Sequence, residues 1–224
     1  MLANPLFFLL GLLLLWFPRR FMRLGATVGR AKHTRRIDEP WERGGPGDPR
    51  LGFRREMAKP RNYFDLLRGA AGGLALLGGH GIPPSLVPAG PGGTAALQAF
   101  ALQFGILVVG LLIQTIRRER GHFSFFAPIF YLVGVSVALG GVWSALFAFT
   151  LIWALNTMLP NAQAFLGLLG PLLAGFGYML GRSGPRLAAA ALLLCWLPVL
   201  LSLLTRRPLV VFSRRGASAE PGAS

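Results

Sequence analysis

Hydrophobic residues in this chain come in long unbroken blocks, and the polar residues are crowded between them. No Asp, Glu, Lys or Arg occurs in residues 69–116, 121–181 or 187–205, runs of 48, 61 and 19 positions. A helix needs about 20 apolar residues to cross the hydrocarbon core of a bilayer. The pattern therefore predicts an all-α, polytopic integral membrane bundle with about six or seven transmembrane segments.

The segments differ in quality. Residues 1–17 form an apolar anchor followed by Pro18-Arg19-Arg20, whereas a secretory signal peptide carries its positive charges before the apolar run. This order suits an uncleaved anchor with its basic end inside, although its length also fits a helix lying in the interface. Residues 18–65 read as a basic cytoplasmic loop. It starts with a helical spacing of Phe17, Phe21, Leu24 and Val28 and continues into a stretch of turn formers, 38–49, with almost no core-building residues. Residues 66–205 are expected to hold the bundle, and 206–224 a basic, disordered cytoplasmic tail.

Within the bundle, 69–79 is short and Gly-rich, but topology argues that it crosses. The strong segment 94–116 ends in Arg117-Arg118-Glu119-Arg120, and the positive-inside rule puts that cluster on the side of the earlier basic block. Residues 122–160 are too long for one straight span. Gly140-Gly141 predicts a hairpin between spans at 123–139 and 142–158, followed by spans at 162–181 and 187–204. This count places the C-terminus in the cytoplasm; reading 123–158 as one tilted span puts it outside.

Composition narrows the class further. Hydrophobic residues make up 53% and charged residues 14%, against about 25% charged in soluble globular domains. The net charge of +15 does not point to nucleic acid, because 14 of the 23 basic residues lie in 18–68 beside six acidic ones and match no nucleic-acid module. They suit a juxtamembrane segment drawn to anionic lipid. The single cysteine, Cys195, excludes a disulfide or a cysteine-built zinc site within one chain. The 21 Arg against only Lys32 and Lys59, with 30 Gly, suggest a GC-rich bacterial genome and hence the inner membrane.

The spans themselves hold little chemistry. Gln103, Gly110 and Gln114 share one face of the 94–116 helix as a small-and-polar stripe, which fits either a solute path or a hydrogen-bonded helix contact. Asp65 and Arg68, three residues apart, can pair near the inner interface. Gly167, Gly170, Ala174, Gly177 and Gly181 repeat at spacings of three and four, as do Ala188, Ala191, Cys195, Pro198 and Ser202. Two such small-residue faces are expected to pack as an antiparallel pair, with Pro171 and Pro198 as candidate kinks.

His33, His80 and His122 show no metal-ligand spacing, and no phosphate-binding loop or nucleophile elbow is present. No catalytic residue and no cofactor is implied. The leading expectation is a non-enzymatic packing or accessory subunit with a membrane-protein partner or a second copy of itself. The alternatives are a transporter or channel for a small neutral solute or lipid, and an enzyme acting on lipid head groups with Asp65, Arg68 and His122.

Overall fold

A computed structural model describes residues 5–18, 51–77, 93–119, 122–180, 183–206 and 209–210. Helices α1 (Pro5–Trp16), α2 (Phe53–Met57), α3 (Pro60–Leu77) and α4 (Gly93–Thr115) are followed by strands β1 (Ile116–Glu119) and β2 (His122–Phe126). Next come α5 (Ile129–Gly140), α6 (Val142–Leu155) with a 3-10 turn at Asn156–Met158, α7 (Ala162–Met179), α8 (Pro185–Leu204) and strand β3 (Leu209–Val210). The protein is mostly helical, and three helices, at Ala96–Thr115, Ala162–Met179 and Pro185–Leu204, are long and apolar enough to cross a membrane.

The helical character expected from the sequence holds for most of the described residues, and a small three-stranded sheet that was not expected is added to it. β1 pairs antiparallel with β2, and β2 parallel with β3, through Phe125↔Leu209 and Phe126↔Val210. The segment expected as a span from 123 therefore begins as a strand, and its helix starts at Ile129. Apolar, β-branched and aromatic residues suit a strand as readily as a buried helix, so hydropathy alone did not separate the two. The tail likewise contributes a strand at 209–210; the rest of 211–224 lies outside the described residues, as do the basic stretch 19–50 with its spacing of Phe21, Leu24 and Val28, and Gly181.

Local signals explain several helix ends. Asn161 caps α7, its Oδ1 accepting the Ala164 N–H at 2.8 Å. Pro185 opens α8 and Pro60 opens α3, where a missing N–H costs nothing. Gly141, at φ 85° and ψ 164°, separates α5 from α6 in a conformation almost reserved for glycine. The chain folds back there: the rings of Phe130 and Phe149, nineteen residues apart, lie 5.6 Å from each other.

Close contacts fix the directions of the other helices. α1 runs against α3, with Gly11 over Gly72, and α3 against α4, with Gln103 at the end of α3 and Gln114 beside Arg68. α6 and α7 are tied by Trp153 and Phe165, rings 5.1 Å apart, and α7 and α8 by Gln163 and Ser202, 2.6 Å apart. The C-terminal ends of α1, α4, α6 and α8 and the N-terminal ends of α3, α5 and α7 thus meet at one end of the bundle. The small sheet lies there too. Among the described residues, every Lys, Arg, Asp and Glu except Arg186 belongs to segments at this end.

The tightest crossing is α3 on α5. A Cβ on Gly69 would lie 2.5 Å from the Tyr131 carbonyl oxygen, one on Gly73 would lie 2.9 Å from the Ala138 methyl, and one on Gly134 would strike the Leu66 carbonyl. α5 is buried along almost its whole length and forms the centre of the core. Small residues at a crossing let backbones approach and build dispersion contacts, the main source of helix association in lipid.

Candidate functional site

Four polar side chains of the bundle, those of Asp65, Arg68, Gln114 and Tyr131, converge where α1 ends. α1 stops at Trp16 before Pro18, so the carbonyls of its last turn have no partners within the helix. Three side chains from three other helices supply them. Arg68 of α3 donates from Nη1 to the Phe17 carbonyl. Gln114 of α4 donates from Nε2 to the carbonyls of Phe17 at 3.0 Å and Leu15 at 3.4 Å. Tyr131 of α5 donates its hydroxyl to Leu15 at 3.3 Å.

The donors are also joined to each other. Arg68 Nη2 donates to Gln114 Oε1 at 2.6 Å and lies 2.8 Å from Asp65 Oδ1, with both charged side chains almost fully buried. The guanidinium carbon stands 5.3 Å from the centre of the Tyr131 ring, a cation–π distance. A cation beside helix C-terminal carbonyls is placed favourably against the helix dipole, and Asp65 balances its charge in a region of low dielectric. The cluster is a helix cap assembled from distant parts of the chain.

Two members of the expected polar stripe, Gly110 and Gln114, reach this arrangement, and Gln103 does not. Gly110 leaves room for Tyr131: a Cβ there would lie 2.7 Å from the phenol oxygen and 3.2 Å from the Leu15 carbonyl. Gln103 sits further along α4 and donates from Nε2 to the Leu76 carbonyl at 3.0 Å, closing the last turn of α3. Trp16 Nε1 donates to the Ile106 carbonyl at 3.1 Å, which pins α1 to α4 on the same side.

The small-residue faces are distributed over several contacts. Gly170 abuts Cys195, with a Cβ 3.1 Å from that of Cys195, and buried Ser202 accepts from Gln163. Ala191 and Pro198 are buried on α8, while Ala188 and Ala174 are half-buried. Gly167 has no neighbour within 4 Å of where a Cβ would stand, and its carbonyl accepts from Trp196 Nε1 at 3.1 Å. Gly177 faces Ser183 and Gly140, not α8: a Cβ would lie 2.8 Å from Ser183 Oγ and 3.6 Å from the Gly140 Cα. Both α7 and α8 continue through Pro171 and Pro198.

A second polar cluster straps the segment before α3 to the bundle. Buried Glu56 pairs with Lys59 at 2.5 Å and accepts from Asn62 Nδ2 at 3.1 Å, while Asn156 donates to the Leu51 carbonyl at 2.6 Å. Phe53 meets Trp153 edge to face at 5.3 Å. Sequence reasoning missed both this strap and the role of Tyr131. The Asn156–Leu51, Phe53–Trp153 and Tyr131–Leu15 contacts join residues far apart in the chain, and the polar residue inside an apolar helix was the one available signal.

Among the described residues, no group of three or more His, Cys, Asp or Glu could hold a metal ion. His122 opens β2, and His33 and His80 lie outside the described residues. No protein-family model, curated protein or solved structure matches the chain.

Proposed function

We propose that this protein is a non-enzymatic accessory subunit of a membrane assembly, acting through helix contacts. The observation that carries the reading is where the polar side chains of the bundle are spent. Gln103, Gln114 and Tyr131 donate to backbone carbonyls of neighbouring helices, Ser144 to Gly140 and Phe176, Ser183 to Leu139, and Gln163 to Ser202. A side chain committed to a carbonyl supports helix packing more than a solute path, and the buried Asp65–Arg68 pair supports positioning more than proton transfer.

The proposed setting is a bacterial cytoplasmic membrane, crossed seven times. The alternating helix directions and the gathering of charge at one end support that count, with the basic end and the C-terminus in the cytoplasm and anionic lipid against the basic loop. The outward apolar faces are offered to lipid, to a membrane-protein partner or to a second copy.

Extraction from the native membrane into a polymer disc, followed by mass spectrometry, tests the function. The expected result is a protein partner in stoichiometric amount. Recovery of the chain alone, with flux of a small solute that is lost in Gln103→Leu, would replace this reading with a transporter.

A further inference from the structure

α3 turns two of its sides to other helices and a third outward. Gly72 lies against α1, and Gly69 and Gly73 lie against α5. The outward side runs through Pro60, Phe64, Leu67, Ala71 and Leu74, at alternating spacings of four and three, and all five residues are exposed. Phe64, Leu67 and Leu74 are 63%, 64% and 50% exposed. From Phe64 to Leu74 this apolar ridge is about 15 Å long, the hydrocarbon depth of a single leaflet.

Positive charge gathers at the head of the ridge. Residues 51–68 hold five basic residues and two acidic ones, a net +3. Both acids are buried, and each meets a cation of the same segment: Glu56 pairs with Lys59 at 2.5 Å and Asp65 with Arg68 at 2.8 Å. The excess charge is that of Arg54, Arg55 and Arg61, which all precede Phe64 in the chain, and Arg54 is exposed.

The strap that carries Arg54 and Arg55 is fixed to the bundle. Asn156 donates to the Leu51 carbonyl, Phe53 packs on Trp153, and Asn62 Nδ2 donates to the main-chain and side-chain oxygens of Glu56 at 2.8 and 3.1 Å. A loose basic tail is drawn to any anionic surface, whereas cations held above an apolar ridge define one position for a phosphate and the chain beneath it. Half-exposed Tyr63, its hydroxyl 3.8 Å from Met57 Sδ, adds an amphipathic ring of the kind that sits at head-group depth.

Resting on the reading of the chain as a membrane protein, and deepening the lipid contact proposed for the basic loop, we infer that the corner between α2 and α3 is a binding site for one anionic phospholipid. Its phosphate lies at the strap arginines, and an acyl chain follows Phe64, Leu67 and Leu74. Charge complementarity selects this occupant over a zwitterionic lipid, whose own cation offsets the attraction, and the ridge selects it over free phosphate.

Native mass spectrometry tests the site, on the full chain extracted in mild detergent with equal amounts of dioleoylphosphatidylglycerol and dioleoylphosphatidylcholine. The expected result is one phosphatidylglycerol retained per chain, preferred about twentyfold, and a preference near unity when Arg54→Ala and Arg55→Ala are combined, because each cation near the surface is worth roughly fivefold. Arg214→Ala with Arg215→Ala removes the same charge from the tail and should keep the preference.

Equal retention of the two lipids by the unmodified chain overturns the site. An equal loss of preference in both double variants also overturns it, since that marks diffuse attraction to the whole basic end. A chain that stays dispersed without detergent or lipid overturns the membrane reading instead. Should the strap variant fail to fold, the unmodified chain decides: a thermal midpoint that rises with phosphatidylglycerol and saturates at one lipid per chain supports the site, and an equal rise with phosphatidylcholine overturns it.

Discussion

Arg68 and Gln114, forty-six residues apart in the chain, share a 2.6 Å hydrogen bond, and together they close the end of a third helix. The pair makes α1 part of the bundle. Without it, the Phe17 carbonyl would lose two donors and the Leu15 carbonyl one, leaving Leu15 the Tyr131 hydroxyl; a lost partner at a buried carbonyl costs on the order of 1–3 kcal/mol.

Gln114→Leu removes one donor to each of the two carbonyls and the acceptor for Arg68. It is expected to destabilise the detergent-solubilised protein by about 1–3 kcal/mol, read as a lowered thermal midpoint. An unchanged midpoint would mean that the cap contributes nothing.

Arg68→Leu removes the buried cation 2.8 Å from the Asp65 carboxylate and should cost about 3–5 kcal/mol, whereas Asp65→Leu with Arg68→Leu removes both charges and should recover part of that loss. A double-mutant cycle measures the coupling. Strict additivity would contradict the ion pair.

At the crossing of α3 and α5, Gly134→Ala places a methyl against the Leu66 backbone and should cost about 1–3 kcal/mol or prevent assembly. Gly105→Ala, on a helix surface with open space around it, is the matched control and should be neutral. Size-exclusion profiles of the two variants separate these outcomes.

Two backbone positions respond in opposite directions. Gly141→Ala puts a side chain at φ 85° and ψ 164° and should cost about 1–3 kcal/mol. Arg206, just past α8, has φ 53°, so Arg206→Gly should relieve strain and stabilise by up to about 1 kcal/mol. Midpoints that move the same way in both variants would argue against the turn geometry.

On the α7–α8 pair, Gly170→Leu should separate the helices by displacing Cys195, while Gly177→Leu should disturb the α5–α6 turn through Gly140 and Ser183. Crosslinking between cysteines placed at Gln163 and Ser202, whose side chains meet at 2.6 Å across the pair, reports the first. It should be lost in Gly170→Leu and kept in Gly177→Leu.

The class of the molecule and the limits of most of its helices were readable along the chain. Transfer of a segment into an apolar medium depends on its own residues, so the charge-free runs and Gly140-Gly141 spoke for themselves, whereas the Asn161 cap and the Pro185 start were recognised only in the fold. The small-residue ladders on α7 and α8 were also visible, but which neighbour each glycine meets was not: Gly177 turned to Ser183 and Gly140. Nor did hydropathy separate β2 from the start of a span.

Only the tertiary structure decided that α3 and α5 make the closest crossing, that Asp65, Arg68, Gln114 and Tyr131 meet around the end of α1, and that the tail pairs with β2. In lipid, apolar burial favours no one helix partner over another. The choice falls to steric fit at single glycines and to the matching of buried donors with carbonyls, and both depend on residues far apart in sequence that come together when the chain folds.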